Sequence, residues 1–288
     1  MTIADQSTTT ETTRRRGVRR HTTGAALAVL AVAAVGVGVW RAVTAPEAVP
    51  RPPSVSAELE TLRDVRVFFA HQSVGANILD GLDAVAQGAV TVLQTSDPGQ
   101  LSPGTVGHAY VGMNGDPQSK IDAFADIIEG GIGDSVDVAM LKLCYTDVTA
   151  GSDVEAIAAS YLQELDRLDA RYPDVRFIGV TVPLTTEPDW VDALKGLLGR
   201  GDGRTADDNQ ARQEFNELVR AHFSADGTLL DIADVESVQG RAVHEKDGVE
   251  YYALSSEYAS DTGHLNARGA HAAAAEFVRV VAADAGSR

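Results

Sequence analysis

The sequence predicts a doubly wound α/β domain, a parallel sheet covered by helices on both faces. Three observations predict it. Short β-rich runs alternate with amphipathic stretches along most of the chain. The first run, Val65–Ala70 (VRVFFA), is apolar on both faces, as a strand inside a parallel sheet must be. Helix-start signals fall between the runs: Asp116-Pro117, Ser152 with Glu155, and Asn266.

The elements follow in order. Val65–Ala70 is the first strand, and a helix spans about Ala76 to Ala86. Val90–Leu93 is a short second strand. Residues 95–116, rich in Gly, Pro, Ser and Asp, read as a long loop, and loops of that length inside a domain are usually functional. Asp116 caps a helix that Pro117 begins and Gly130-Gly131 ends. Val136–Leu143 is the third strand, and the Ser152/Glu155 capping box opens a helix ending near Arg171. Val175–Val182 is the fourth strand, stopped by Pro183. Residues 184–205 are irregular or partly helical, Asp207–Phe223 is helical, and Leu229–Ile232 is the fifth strand. Residues 235–262 form a second long polar loop before the Asn266-capped helix, which runs to about Asp284. Five strands with intervening helices give a three-layer, flavodoxin-like architecture with a mostly parallel sheet.

The N-terminus stands apart from this fold. Arg14, Arg15, Arg16, Arg19 and Arg20 precede an uncharged run from Thr22 to Trp40. A basic flank before a segment just long enough to cross a bilayer is the pattern of a signal anchor or of a long signal peptide cut near Ala45 or Ala48. In both versions the arginines stay in the cytoplasm and the rest of the chain lies outside, bound to the membrane by one span or secreted. The expected organisation is a basic segment (1–21), a transmembrane or signal segment (22–44), a Pro/Ala-rich linker (45–60) and one domain (61–288).

The chain carries a net charge of −17, and its first 41 residues are basic, so the remainder is more acidic still. That surface argues against nucleic acid and anionic lipid head groups as partners. Cys144 is the only cysteine, so no intrachain disulfide forms, and its apolar setting reads as core. His71, His108, His222, His244 and His271 show no metal-ligand spacing, and no metal site is expected.

In open α/β sheets ligands bind beyond the carboxyl ends of the strands. Three segments with reactive side chains fall there. Ser73, in His71-Gln72-Ser73-Val74-Gly75, lies where the first strand turns into a helix; it either caps that helix or serves as a nucleophile beside its N–H groups. Asp261 and His264, in Ser260-Asp261-Thr262-Gly263-His264, put a carboxylate three residues before an imidazole, which orients the ring for acid–base work. Lys142, at the end of an apolar run, needs a partner, and Asp147 is the nearest in sequence. Asn209, Arg212 and Asn216 share one helix face, either a solvated polar face or part of a groove.

Together these segments resemble the SGNH (GDSL-type) hydrolases, and FFAHQSVGANI, MNGDPQSKIDAF, VAMLKLCYTDV, VTVPLT and DTGHLNARGAHAAA resemble a bacterial exported subgroup of them. The resemblance spans about Arg63 to Ala283. It implies a serine esterase-type hydrolase that needs no cofactor, with Ser73 as nucleophile, His264 as base and Asp261 as its orienting partner. Gly115 matches the oxyanion-hole glycine. The chain departs from the family at two places: His71-Gln72-Ser73 stands for Gly-Asp-Ser, and Cys144-Tyr145-Thr146-Asp147 stands for Gly-x-Asn-Asp. The missing asparagine leaves Thr146, Asn77, Asn114 or Lys142 to replace an oxyanion donor. The implied substrate is an acyl ester of a glycan, a cell-wall component or a lipid. The altered block keeps two alternatives open, a non-catalytic glycan-binding domain and an O-acyltransferase using the same triad.

Overall fold

The computed structural model describes residues 55–187, 205–223 and 228–283. The basic segment 1–21, the expected membrane or signal segment 22–44 and most of the linker lie outside these residues, as do 188–204 of the stretch expected to be irregular. Among the described residues no helix is long and apolar enough to cross a membrane.

The elements are α1 (Ser56–Leu62), β1 (Val67–His71), α2 (Ser73–Ala86), β2 (Thr91–Gln94), β3 (Thr105–Tyr110), α3 (Pro117–Ile127), β4 (Val138–Leu141), α4 (Val154–Arg171), β5 (Arg176–Val180), α5 (Ala206–Phe223), β6 (Leu229–Leu230), α6 (Ile232–Glu236), β7 (Val243–Lys246), β8 (Val249–Tyr252) and α7 (Ala267–Ala282). The central sheet has six strands in the order β2-β3-β1-β4-β5-β6. Every neighbouring pair in it is parallel. Helices cover both faces. Val67 and Phe69 of β1 join one apolar cluster with α1, α2 and α7, while Phe68 and Ala70 join the other with α3, α4 and α5. The period-two split of a run that is buried throughout makes β1 the axis of both cores.

Several expectations are corrected. The sheet has six strands, not five, because part of the expected 95–116 loop is β3, which pairs with both β1 and β2. Gly107 and His108 interrupt its apolar alternation, so the periodic signal is weak. The 235–262 loop contains an antiparallel hairpin, β7-β8. Ser56–Leu62, most of it in the stretch expected to be linker, is helix α1, and Val55, Leu59 and Leu62 recur at helical spacing and pack against the core. The cap of α4 is Asp153, whose side chain accepts from Ala156 N, and the Ser152 hydroxyl instead accepts from Thr149 N. The other two caps are where the sequence puts them: Asp116 accepts from Ser119 N, and Asn266 from Arg268 N and Gly269 N.

This topology positions the site. From β1 the chain moves to β2 and β3 on one side, then crosses to β4, β5 and β6 on the other. The order reverses between β1 and β4, and in open α/β sheets the carboxyl ends of the strands at such a reversal are where ligands bind. Ser73 follows β1 directly, and residues 142–147 follow β4.

Candidate active site

Ser73 is the first residue of α2. The turn from β1 into α2 is tight: a Cβ on Gly75 would lie 2.3 Å from His71 Cβ, so only glycine lets the helix start that close to the strand. Gln72, at the cap position, gives no side-chain acceptor to the first turn. Its amide nitrogen instead donates to Val111 O (2.8 Å) and Gly112 O (3.1 Å), fastening the turn after β3 to the Ser73 loop. Gly75 N donates to Gln72 O at 2.8 Å, so the N–H groups left at the helix start beside the Ser73 hydroxyl are those of Ser73 and Val74.

Asp261 and His264 lie in the turn before α7 and meet this serine. His264 Nε2 is 2.9 Å from Ser73 Oγ, although the two residues are 191 positions apart. His264 Nδ1 lies 2.9 Å from Asp261 Oδ2 and 3.0 Å from Oδ1. A carboxylate only accepts, so Nδ1 carries the proton and Nε2 is left to accept from the serine hydroxyl. Asp261 Oδ1 also accepts from Gly263 N (2.8 Å) and His264 N (2.9 Å). Burial alone would raise the Asp261 carboxyl, but the N–H donors of Gly263 and His264 outweigh it and hold the group below its usual range. The turn is fixed from outside as well. Asn77, one helical turn beyond Ser73, accepts from Leu265 N at 3.2 Å, and Asn266 donates to Glu257 O and Ala259 O. A hydroxyl bonded to an imidazole whose other nitrogen is held by a carboxylate can give up its proton on attacking an electrophile.

The opposite wall departs from expectation. Gly115 N donates to Asp147 Oδ1 at 2.8 Å, so the amide expected to face an oxyanion is already engaged. Asp147 does not pair with Lys142. Its Oδ2 accepts from Lys120 Nζ (2.5 Å) and Cys144 N (2.6 Å), with the Lys120 and Asp147 side chains wholly buried. Lys120 also donates to Asn114 Oδ1 at 3.0 Å. Lys142 is fully buried, and its ammonium donates to Leu143 O at 3.1 Å. Burial pushes its pKa down. Thr146 Oγ1 and Glu236 Oε1 are buried with no hydrogen-bond partner in the structure. Burial pushes Glu236 up to about 8.

Asn209, Arg212 and Asn216 form neither a solvated face nor an open groove; all three are buried. Asn216 brackets Val182, accepting from its N–H (2.7 Å) and donating to its C=O (3.0 Å), and Asn209 does the same for Thr185. These amides complete backbone pairing where the chain runs on past β5. Cys144 is core, as its setting implied. His71 is also buried, donating from Nδ1 to Gln72 O (2.7 Å) and accepting at Nε2 from His108 Nδ1 (2.9 Å). Among the described residues no group of three or more His, Cys, Asp or Glu could hold a metal ion.

Lys120, Gln72 and Tyr145 escaped the sequence reading. Lys120 left a signal, a cation one position before Ile121 and four before Phe124 on the buried stripe of α3. Gln72 and Tyr145 left none, since their partners are remote in sequence.

Fold and site define an α/β protein with a serine–histidine–aspartate chain at the carboxyl edge of a parallel sheet. No family model matches the sequence, and no curated protein matches it. Solved structures similar to this chain include a Streptococcus pneumoniae protein assigned as a platelet activating factor, at 16% identity and a TM-score of 0.47, the match covering 86% of this chain and 97% of that one. Two others are assigned to the lipolytic G-D-S-L family. The Desulfitobacterium hafniense protein shares 14% identity over 74% of this chain and 98% of its own, with a TM-score of 0.41. The Veillonella parvula protein shares 14% over 74% and 95%, with a TM-score of 0.42. Likenesses this distant leave the chemistry to the side chains described above.

Proposed function

We propose that the chain is a serine hydrolase of SGNH type that cleaves an acyl ester through a covalent acyl-enzyme. The observation that carries the reading is the 2.9 Å contact between His264 Nε2 and Ser73 Oγ, between segments that only the fold brings together. Ser73 Oγ attacks the ester carbonyl carbon as its proton passes to His264 Nε2. Asp261 stabilises the imidazolium. Nε2 then protonates the departing alkoxide, the ester C–O bond breaks, and the acyl group stays on Ser73. A water deprotonated by the same nitrogen releases the acid. The amides at the start of α2 stabilise the oxyanion, helped by the helix dipole. Gly115 is engaged by Asp147 and Lys142 donates to Leu143 O, which leaves Asn77, Asn114 and Thr146 as the further candidate donors.

The reading includes an extracytoplasmic location, supported by the Arg14–Arg20 cluster before the Thr22–Trp40 run, with the domain anchored by that run or released from it. There the substrate is a small-molecule or glycan ester, a cell-wall ester or a lipid. The engaged Gly115 amide favours one rival, a glycan-binding domain without turnover. A fluorophosphonate probe decides. Ser73→Ala and His264→Ala are expected to lose labelling, and hydrolysis of short aryl esters should fall by about 10³-fold or more. Equal labelling of wild type and Ser73→Ala removes the nucleophile assignment. Glycan retention without ester turnover by the wild type selects the rival.

A further inference from the structure

The polar face of α5 reaches the site through one aromatic ring. Arg212 is fully buried. Its Nε donates to Tyr145 O at 2.9 Å, and one terminal nitrogen donates to Asn209 Oδ1 (2.7 Å) and Thr185 Oγ1 (3.0 Å). The guanidinium carbon lies 5.7 Å from the centre of the Tyr145 ring, within the range of a cation–π contact. Tyr145 is itself only 6% exposed. Its ring stands edge-on to the His264 imidazole, with centroids 6.1 Å apart and planes at 80°. It also fills the space beside Gly263, where a Cβ would lie 2.7 Å from Tyr145 Cε1. The ring thus bears on both the histidine and the turn that carries it.

The need for such a support follows from the site. Asp261 is anchored by two backbone N–H groups, but among the described residues the His264 imidazole is bonded only through its two ring nitrogens, Nδ1 to the Asp261 carboxylate and Nε2 to Ser73. Such bonds do not stop the ring tilting about the Nδ1–Nε2 direction. A rigid neighbour beside it does, and rates fall steeply when a reacting group is misplaced by about 1 Å. We propose that Tyr145 is a positioning residue for His264 and that Arg212 holds Tyr145 in that place. The inference rests on the reading of His264 as the general base.

The test uses the full chain with Tyr145→Leu, Tyr145→Phe and Gly263→Ala. The measurements are kcat and KM on an aryl acetate, thermal melting, and the low-field imidazole N–H proton resonance of the His264–Asp261 bond. Tyr145→Leu is expected to lower kcat by about tenfold or more with KM within about twofold, and to broaden or shift the resonance. Tyr145→Phe, which keeps the ring, should recover most of the lost rate. Gly263→Ala, which pushes the ring outward, should reproduce the loss and serves if Tyr145→Leu does not fold. A folded Tyr145→Leu or Gly263→Ala with wild-type kcat and an unmoved resonance overturns the proposal. Absence of ester turnover in the wild type instead removes the hydrolase reading on which it stands.

Discussion

The two walls of the site are built by opposite means. The histidine wall is local: Asp261, Gly263 and His264 bond one another within three residues, and the Asp261 side chain is 57% exposed. The facing wall is assembled from remote segments. Lys120 of α3, Gly115 of the preceding turn and Cys144 beyond β4 donate to the buried Asp147 carboxylate, and Asn114 accepts from Lys120. The local turn makes most of its bonds within itself, with Tyr145 and Asn77 bearing on it from outside, whereas a buried network depends on every member. Damage to the first should therefore cost rate, and damage to the second should cost folding.

The largest effect expected on the histidine wall comes from Asp261→Asn. The amide leaves the turn's size unchanged but favours the wrong imidazole tautomer, and kcat should fall by about 10³–10⁴-fold. Stability should move by less than about 1 kcal/mol, since the carboxylate is more than half exposed. Steady-state kinetics with urea unfolding of the same protein checks both. A large stability loss would break the contrast between the walls. On the facing wall, Asp147→Ala leaves the Lys120 ammonium buried without its counter-charge, and unfolding free energy should drop by about 3–5 kcal/mol. A loss below about 1 kcal/mol would show that the buried network does not hold this wall.

The same contrast explains what was legible in the sequence. Asp261-x-x-His264 and the Asn266 cap act within a few residues, so their spacing alone discloses them. β1 was legible because a run buried on both faces has an unmistakable composition. Ser73 as partner of His264 came only through the family resemblance, since nothing in the spacing of residues 191 apart joins them. Lys142 and Asp147 were misjudged for a physical reason: neighbours in sequence at a strand end point in different directions, and Asp147 turns toward α3. Asn209, Arg212 and Asn216 look like a solvated stripe because three polar residues on one helix face usually are. Here the chain past β5 leaves backbone groups without strand partners, and buried amides supply them.

His71 tests whether the floor between the walls behaves as buried. Burial, with lesser repulsion from Lys142 and His108, holds its pKa down at about 3, while the bond to Gln72 O opposes the shift. The fold therefore binds the neutral ring. An unfolded histidine takes up its proton near pH 6.5, so the stabilisation is complete above that value and is lost progressively as pH falls toward 3. The loss attributable to this one residue is on the order of 5 kcal/mol at most. Urea unfolding from pH 7 down to pH 4 should show a steeper decline for wild type than for His71→Phe. Parallel curves would mean that the folded ring takes up its proton as readily as the unfolded one.

The smallest expected effect is at the tie between the serine helix and the histidine turn. Asn77 projects from α2, one turn beyond Ser73, and accepts from Leu265 N, the residue after His264. Its bond is neutral, partly exposed and 3.2 Å long, so Asn77→Ala should cost only about 1 kcal/mol of stability. The bond nevertheless couples the serine helix to the histidine turn, and its loss lets the Ser73–His264 separation widen. A fall in kcat of a few-fold with unchanged KM is expected, and Asn77→Asp, which keeps the accepting oxygen, should recover most of it. If Asn77→Ala loses stability but no rate, the histidine turn holds its own alignment to Ser73 and needs no tie to the serine helix.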